Sequence, residues 1–279
     1  MYPSVCCCRA LAVAACDIAA LSRVFFVLKH SEVNCLTDKY LFADKVVQIT
    51  SLYRAVHEYC KDFRCTGPAD IEVSITQDDI DFERERNART AEKEGRKAYY
   101  PSDSYIEQLA VYRKISEQMP RFDTFLFHGS FISVDGDGYM FTAPSGTGKS
   151  THARLWREYL GDRAVMVNDD KPLIRVSDDT VKAFGTAYNG KHRLGGNISV
   201  PLKAIALLER AEQNSIEEVT PKQIYPRILQ QMYRPYDAAA LAMSMGLLDK
   251  MMCKARLYII RCNMDIQAAA LAYDTMKGR

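Results

Sequence analysis

From about Lys39 onward, apolar and polar positions alternate in two rhythms, one of period two and one of period three to four. Tyr40-Leu-Phe-Ala and Lys45-Val-Val-Gln-Ile-Thr50 alternate like strands, Leu52 to Phe63 has helical spacing, and Ile71 to Thr76 is a clean alternating strand. Gln77 to Lys97 is dense in charge and predicts a solvated helix or linker with a plain exposed face. Tyr105 to Met119 carries Ile106, Leu109, Ala110 and Ile115 at helical spacing, and Pro120 is expected to end that helix. Phe125 to Val134 reads as one strand, Asp135-Gly-Asp-Gly138 as a tight turn, and Tyr139 to Ala143 as the return strand. Ser150 to Leu160 is helical and closed by Gly161, and Ala164 to Asn168 is a buried strand. Short strands flank a turn at Asp178-Asp179, the second of them Val181 to Gly185, and Lys203 to Leu208 reads as another strand. The remainder is helical over Pro221 to Tyr233 and Asp237 to Met252, a strand over Arg256 to Arg261, and an amphipathic helix over Asp265 to Met276. Met243, Met245, Met251 and Met252 are expected to pack in the core.

Residues 1–37 follow neither rhythm. They are rich in cysteine and alanine and poor in acidic side chains, and they are assigned no chemistry. The expected organisation is an N-terminal extension over 1–37, a small α+β region over 38–120 and the chemical part over 121–279.

Composition changes this picture little. At 279 residues, 48% hydrophobic and 26% charged, the chain is that of an ordinary globular protein. A net charge of +2 gives no electrostatic reason for a nucleic-acid or membrane partner. No segment offers the roughly 18 continuous apolar residues of a membrane span. The nine cysteines are odd in number and contain no C-x-x-C pair, which argues against a disulfide framework or a zinc site and for a reducing cytoplasm. Val13-Ala-Ala-Cys16 resembles a lipoprotein cleavage site, but Arg9 interrupts the apolar run ahead of it and Asp17 follows it, so export is not the expectation.

Ala143 to Thr151 reads A-P-S-G-T-G-K-S-T and fits [AG]-x4-G-K-[ST], the Walker A phosphate loop, with Ala143 where a stricter pattern asks for glycine. In such a loop, backbone N–H groups turn in on a polyphosphate, a lysine reaches the β and γ oxygens, and a hydroxyl meets Mg²⁺. Ser145, Gly146, Thr147, Gly148, Lys149, Ser150 and Thr151 are therefore candidate ATP-binding residues, between a strand and a helix N-terminus that is ready-made for anions. Because this loop follows an antiparallel hairpin, the architecture departs from the parallel, crossover-linked type. Asp169-Asp170 ends the Ala164 strand, where phosphoryl transfer needs a metal ligand and a base; the same pair before Lys171-Pro172 also reads as turn chemistry. Gly185 to Gly196 contains four glycines and the cations Lys191, His192 and Arg193, the composition of a mobile lid over transferring phosphates or of a solvated loop. Lys171 and Arg175 are weaker candidates of the same kind.

His128-Gly129, Ser145-Gly-Thr-Gly-Lys-Ser150 and Val167-Asn-Asp-Asp170, in that order and spacing, resemble the HPr kinase/phosphorylase group of the phosphoenolpyruvate carboxykinase superfamily. The resemblance covers about Phe122 to Leu208. It implies an α/β fold of HPr kinase-like type, with a mixed sheet, and an ATP- and Mg²⁺-dependent kinase that phosphorylates a hydroxyl. It implies Lys149 on the β and γ phosphates, Ser150 and Asp169 on the metal, Asp170 as base, and His128 tuning the acids; the roles of the two aspartates could be exchanged, since adjacent carboxylates titrate together. Kinases of that group assemble as oligomers, so the resemblance makes a homo-oligomer possible, but no stretch of the sequence reads as a particular interface. Its acidic residue followed by I-R-G is missing here, with Tyr188-Asn-Gly-Lys191 in the comparable region, so the acceptor implied is another hydroxyl: a small metabolite, a peptide or a protein serine. The alternative is a non-catalytic ATP-binding regulator or scaffold of the same fold.

Overall fold

Strands β5 (Ser130–Val134) and β6 (Asp137–Thr142) are buried at every position but Asp137, because helices cover both faces of the sheet they belong to. A strand covered on both sides needs apolar residues without alternation, which is why these segments read as continuous runs. The computed structural model describes residues 35–93, 95 and 101–278. Except for Cys35 to Thr37, the N-terminal extension and its cysteine run lie outside the described residues. Leu36–Arg279 forms one compact unit.

Among the described residues the larger sheet has nine strands. Seven run in the order β4 (Thr124–Leu126), β8 (Leu173–Val176), β9 (Val181–Phe184), β10 (Ser199–Arg210), β6, β5 and β7 (Ala164–Asn168), while β12 (Arg256–Cys262) pairs with β10 and β11 (Ser215–Glu218) with β12. β10 ties two halves together. Its first three residues pair antiparallel with β9, and the rest runs parallel to β6 on one side and β12 on the other. The sheet is therefore mixed, and β6, β10 and β12 deliver their carboxyl ends to the same edge.

Ile132, Val134, Tyr139 and Phe141 pack against the helices that follow β6 and β12, here α4 (Lys149–Leu160) and α7 (Ile266–Met276). Trp156 is wholly buried there, its ring 5.0 Å from Tyr139 and Phe141 and 5.5 Å from Tyr273. Truncation of such a side chain to alanine costs about 3–5 kcal/mol. On the opposite face, Phe131 and Met140 meet Ile224 and Ile228 of α5 (Pro221–Leu229) and Leu248 and Met251 of α6 (Ala238–Lys254). A capping box between Thr220 and Gln223 starts α5, and Asp237 caps α6 by accepting from the Ala240 amide at 2.8 Å.

Nearer the N-terminus, β1 (Leu36–Phe42) and β2 (Lys45–Ser51) are antiparallel, and β3 (Ile71–Ser74) runs parallel to β2. Between β2 and β3 lies the short helix α1 (Arg54–Tyr59), and α2 (Gln77–Lys93) and α3 (Asp103–Gln118) follow. α3 lays Ile106, Ala110, Val111 and Ile115 on the three-stranded sheet, and the same cluster takes in Leu126, Leu173, Phe184 and Tyr188 from the larger one. The buried Glu107 carboxylate accepts the Leu52 and Tyr53 amides at 2.5 and 3.0 Å, and burial raises its pKa.

Several sequence expectations are corrected. Phe125 to Val134 is two strands, because Phe127, His128 and Gly129 donate their amides to Pro172, Gln231 and Asp170 instead of continuing one ladder. The predicted helix to Tyr233 stops at Leu229; residues 231–233 then run back along 126–128, with Tyr233 N on Leu126 O at 3.0 Å. The strand expected at Lys203 starts at Ser199, and β11 carries no alternation that predicts it. Of the four methionines, Met251 and Met252 are buried, but Met243 and Met245 lie on the outer face of α6. Val165 is half exposed because β7 is the sheet's edge. The charged α2 is not wholly a solvated face: Glu83 is buried and takes Arg113 Nε at 2.5 Å and Arg86 Nη1 at 3.2 Å.

The glycine-rich segment after β9 is packed where it leaves and rejoins the sheet. A Cβ built on Gly185 would lie 1.8 Å from Gly196 O and 2.6 Å from Val167 O, both backbone atoms. We expect Gly185→Ala to destabilise the fold by about 3 kcal/mol, the upper part of the usual overpacking range. Urea denaturation checks this, and a neutral effect contradicts the close packing.

Candidate active site

β6 ends at Thr142 and leads through buried Ala143 into a glycine-rich turn. Gly146 and Gly148 have φ of +78° and +126°, which side chains with a Cβ rarely adopt, and the space where a Cβ would stand is open at both. Arg210, at the end of β10, fixes the turn from outside by donating to Gly146 O at 2.5 Å and Thr147 O at 3.2 Å. Gly148 then caps α4, whose first turn holds no acidic residue, so the positive end of the helix is not neutralised locally. Lys149 folds back and is buried, its Nζ donating to Ala143 O at 2.9 Å and Pro144 O at 3.4 Å. Burial lowers its pKa, and the charges of Asp170 and Asp169 oppose that shift.

The facing wall is the end of β7. Asn168 Oδ1 accepts the amides of Asp170 at 2.9 Å and Lys171 at 2.7 Å, an Asx turn that peels the chain off the strand. Asn168 Nδ2 in turn donates to Thr186 Oγ1 at 3.0 Å. Buried Asp169 accepts the Ser130 hydroxyl at 2.6 Å, whereas Asp170 is one-third exposed. The break between β4 and β5 brings His128 to within 3.5 Å, Nε2 to Asp170 Oδ1. Gln231 holds His128 twice, its backbone carbonyl taking the His128 amide at 2.8 Å and its side-chain oxygen taking the ring Nδ1–H at 3.0 Å. Burial lowers the His128 pKa and the Lys149 cation adds to this, with Asp170 opposing. A neutral ring with its proton on Nδ1 leaves Nε2 free to share a proton with Asp170.

These two walls enclose a cleft of about 410 Å³. Ser145, Gly146, Gly148, Lys149, Ser150 and Thr151 line one side, His128, Asp169 and Asp170 the other, and Lys191 and His192 the rim. Thr147 faces a neighbouring cavity of about 440 Å³, bounded by Thr151 and the ends of β10 and β12. Arg193 is turned away from the cleft: it donates to Tyr59 O at 2.7 Å and stacks over the Tyr59 ring at 4.5 Å. Ser130, Gln231, Arg210 and Thr186 escape the sequence reading because each reaches the site through a distant strand or turn. Only Gly129 inside a strand-like run carried a signal, since a glycine there marks a bulge.

His152, one turn into α4, supplies a pH probe beside the cleft. It accepts Trp156 Nε1 at 3.1 Å on Nε2, and burial pushes its pKa down to about 4. The folded value lies below the unfolded one of about 6.5, so the unfolded chain binds more protons between them. Stability is complete above about pH 6.5 and falls as pH drops toward 4, by about 3 kcal/mol for this group. Between pH 7.5 and 4.5, urea denaturation should therefore show the stability difference between the protein and its His152→Gln variant shifting by about 2–3 kcal/mol in the variant's favour. A difference that does not move with pH contradicts the buried neutral ring.

Fold and site together define a mixed α/β protein in which a glycine-rich strand–turn–helix faces an acid pair across a cleft. Residues 104–265 match the family described as SynChlorMet cassette protein ScmC, and the chain belongs to that family. Solved structures that resemble it include the Hpr(Ser) kinase/phosphatase from Coxiella burnetii, at a TM-score of 0.33 and 10% identity over 55% of this chain and 99% of that one. No curated protein matches. Among the described residues no helix is long and apolar enough to cross a membrane.

Proposed function

We propose that this protein transfers the γ-phosphoryl group of ATP, with Mg²⁺, to a hydroxyl of its substrate. The observation that carries this reading is the single cleft shared by the glycine turn, Lys149, Asp169 and Asp170. The open space over Gly146 and Gly148 and the acid-free first turn of α4 suit a triphosphate. The cavity beyond Thr147, at the carboxyl ends of β10 and β12, suits base and ribose. Among the described residues no three His, Cys, Asp or Glu side chains form a metal cage. The Ser150 hydroxyl and the Asp169 and Asp170 carboxylates in the cleft fit Mg²⁺, which is usually held by one or two carboxylates together with phosphate oxygens. Ser150 and Asp169 would hold it, and when bound it neutralises charge on the phosphates.

Lys149 would exchange Ala143 O for the β and γ oxygens. Asp170 would take the proton of the acceptor hydroxyl, whose oxygen forms the new bond to the γ phosphorus as the bond to the β-phosphate oxygen breaks and ADP leaves. His128 Nε2 can share that proton. Lys191 and His192 at the rim would face the transferring group. Positioning and charge neutralisation supply most of the rate in such a reaction. The test incubates the protein with γ-labelled ATP and Mg²⁺ in extract of its own cell. The expected result is one species that gains label only when the protein is present; label found solely in inorganic phosphate contradicts the assignment.

A further inference from the structure

A second cavity, again of about 410 Å³, opens on the far side of Asp170 from the glycine turn. Asp170, Gly190 and Lys191 line both spaces, so the acid stands at the passage between them. The walls differ in chemistry. Lys171 and Arg193 line the second cavity but not the first, and among the described residues that line it Asp170 is the one carboxylate. Tyr59 and Tyr105, brought in by α1 and α3, line it as well, with Tyr59 directly beneath Arg193.

The aromatic wall is built in advance. Tyr188 stacks on Tyr112 with centroids 3.7 Å apart and planes at 14°, Tyr59 lies 5.2 Å from Tyr188, and Arg193 lies over Tyr59. A guanidinium held by a ring and a backbone carbonyl keeps donors for a ligand, and its fixed position reduces the ordering cost of binding. The volume is that of a small-molecule site rather than of an extended polymer groove.

We infer that this cavity holds the phosphoryl acceptor, and that the acceptor is a small hydroxycarboxylate with an aromatic or planar apolar part. Its carboxylate meets Arg193 and Lys171, its planar part lies against Tyr59 and Tyr105, and its hydroxyl reaches Asp170. This inference rests on the kinase reading for the fate of that hydroxyl.

The test titrates the full chain calorimetrically with N-benzoyl-L-serine, with its methyl ester, with a peptide carrying an internal serine, and separately with a non-hydrolysable ATP analogue and Mg²⁺. The acid is expected to bind at least tenfold more tightly than the ester. Arg193→Ala and Tyr105→Ala are each expected to weaken the acid at least tenfold while the analogue binds as before. Tyr105 is half exposed, so its variant tests the cavity even if Arg193→Ala disturbs the loop. Equal binding of acid and ester, both variants binding the acid as the parent does, or binding of the peptide in preference to the acid would overturn the inference. Loss of the analogue alone, with the acid still bound tenfold over the ester, sinks the kinase reading and leaves an anion-selective pocket standing.

Discussion

Lys149→Ala is expected to lower ATP turnover by about 10²–10³-fold, the range for removing one preorganised donor from developing charge. The side chain already sits at the turn, buried, 2.9 Å from Ala143 O and close enough to Asp169 and Asp170 to feel both charges. On the proposed reading, a triphosphate would only replace the loop carbonyl as the lysine's acceptor, without rebuilding the loop. The alanine variant leaves Ala143 O without that partner, at a cost of about 1–3 kcal/mol in stability. Lys149→Met, which keeps the buried stem, therefore serves as the second variant. Initial rates of ADP formation, with folding checked by circular dichroism, decide the matter. Turnover within a few-fold of the parent in both folded variants would remove the lysine from the chemistry.

Asp170→Asn is expected to leave nucleotide affinity within a few-fold while cutting transfer to the acceptor by about 10²–10⁴, the usual contribution of a positioned base. The asparagine keeps the volume and the Asx turn, because Asn168 Oδ1 holds the backbone of residue 170 and not its side chain. What it loses is the carboxylate that faces His128 Nε2 and both cavities. Asp169→Asn should behave differently. Its carboxylate is buried against Ser130, so the change should weaken Mg²⁺-dependent nucleotide binding as well as rate. Isothermal titration paired with single-turnover kinetics separates the two effects. Equal behaviour of the two variants would mean that the aspartates act as one unit, and wild-type turnover in Asp170→Asn would remove it as base.

Much of the candidate site was legible because its parts are local. The turn from Ala143 to Thr151 and the pair Asp169-Asp170 are each a few consecutive residues whose types serve backbone conformation and charge. The strands feeding them are apolar on both faces, so the runs at Tyr139 and Ala164 stand out in one dimension. What failed to show was whatever depends on register. Ser130 meets Asp169 because β5 pairs with β7, and Gln231 meets His128 because α5 stops at Leu229 and the chain turns back. Arg210 reaches the glycine turn only because β10 runs parallel to β6 from Leu202 to Leu207 and continues past its end. No periodicity records such pairings. The glycines between Gly185 and Gly196 misled in the opposite direction: their composition suggests mobility, but Gly185 and Gly195 are small so that the chain can lie against Val167 O. The tyrosines of α1 and α3 read as ordinary helix faces, and only the packing of those helices brings them beside Lys171.

The most direct measurement is a crystal structure of the protein with a non-hydrolysable ATP analogue and Mn²⁺, the metal located by its anomalous signal. The expected density puts the triphosphate on the amides of Gly146 to Ser150, with the metal in contact with a phosphate oxygen, the Ser150 hydroxyl and Asp169, and with Asp170 facing the γ phosphorus. A nucleotide bound away from the glycine turn, or a metal that touches neither Ser150 nor either aspartate, would contradict the kinase assignment.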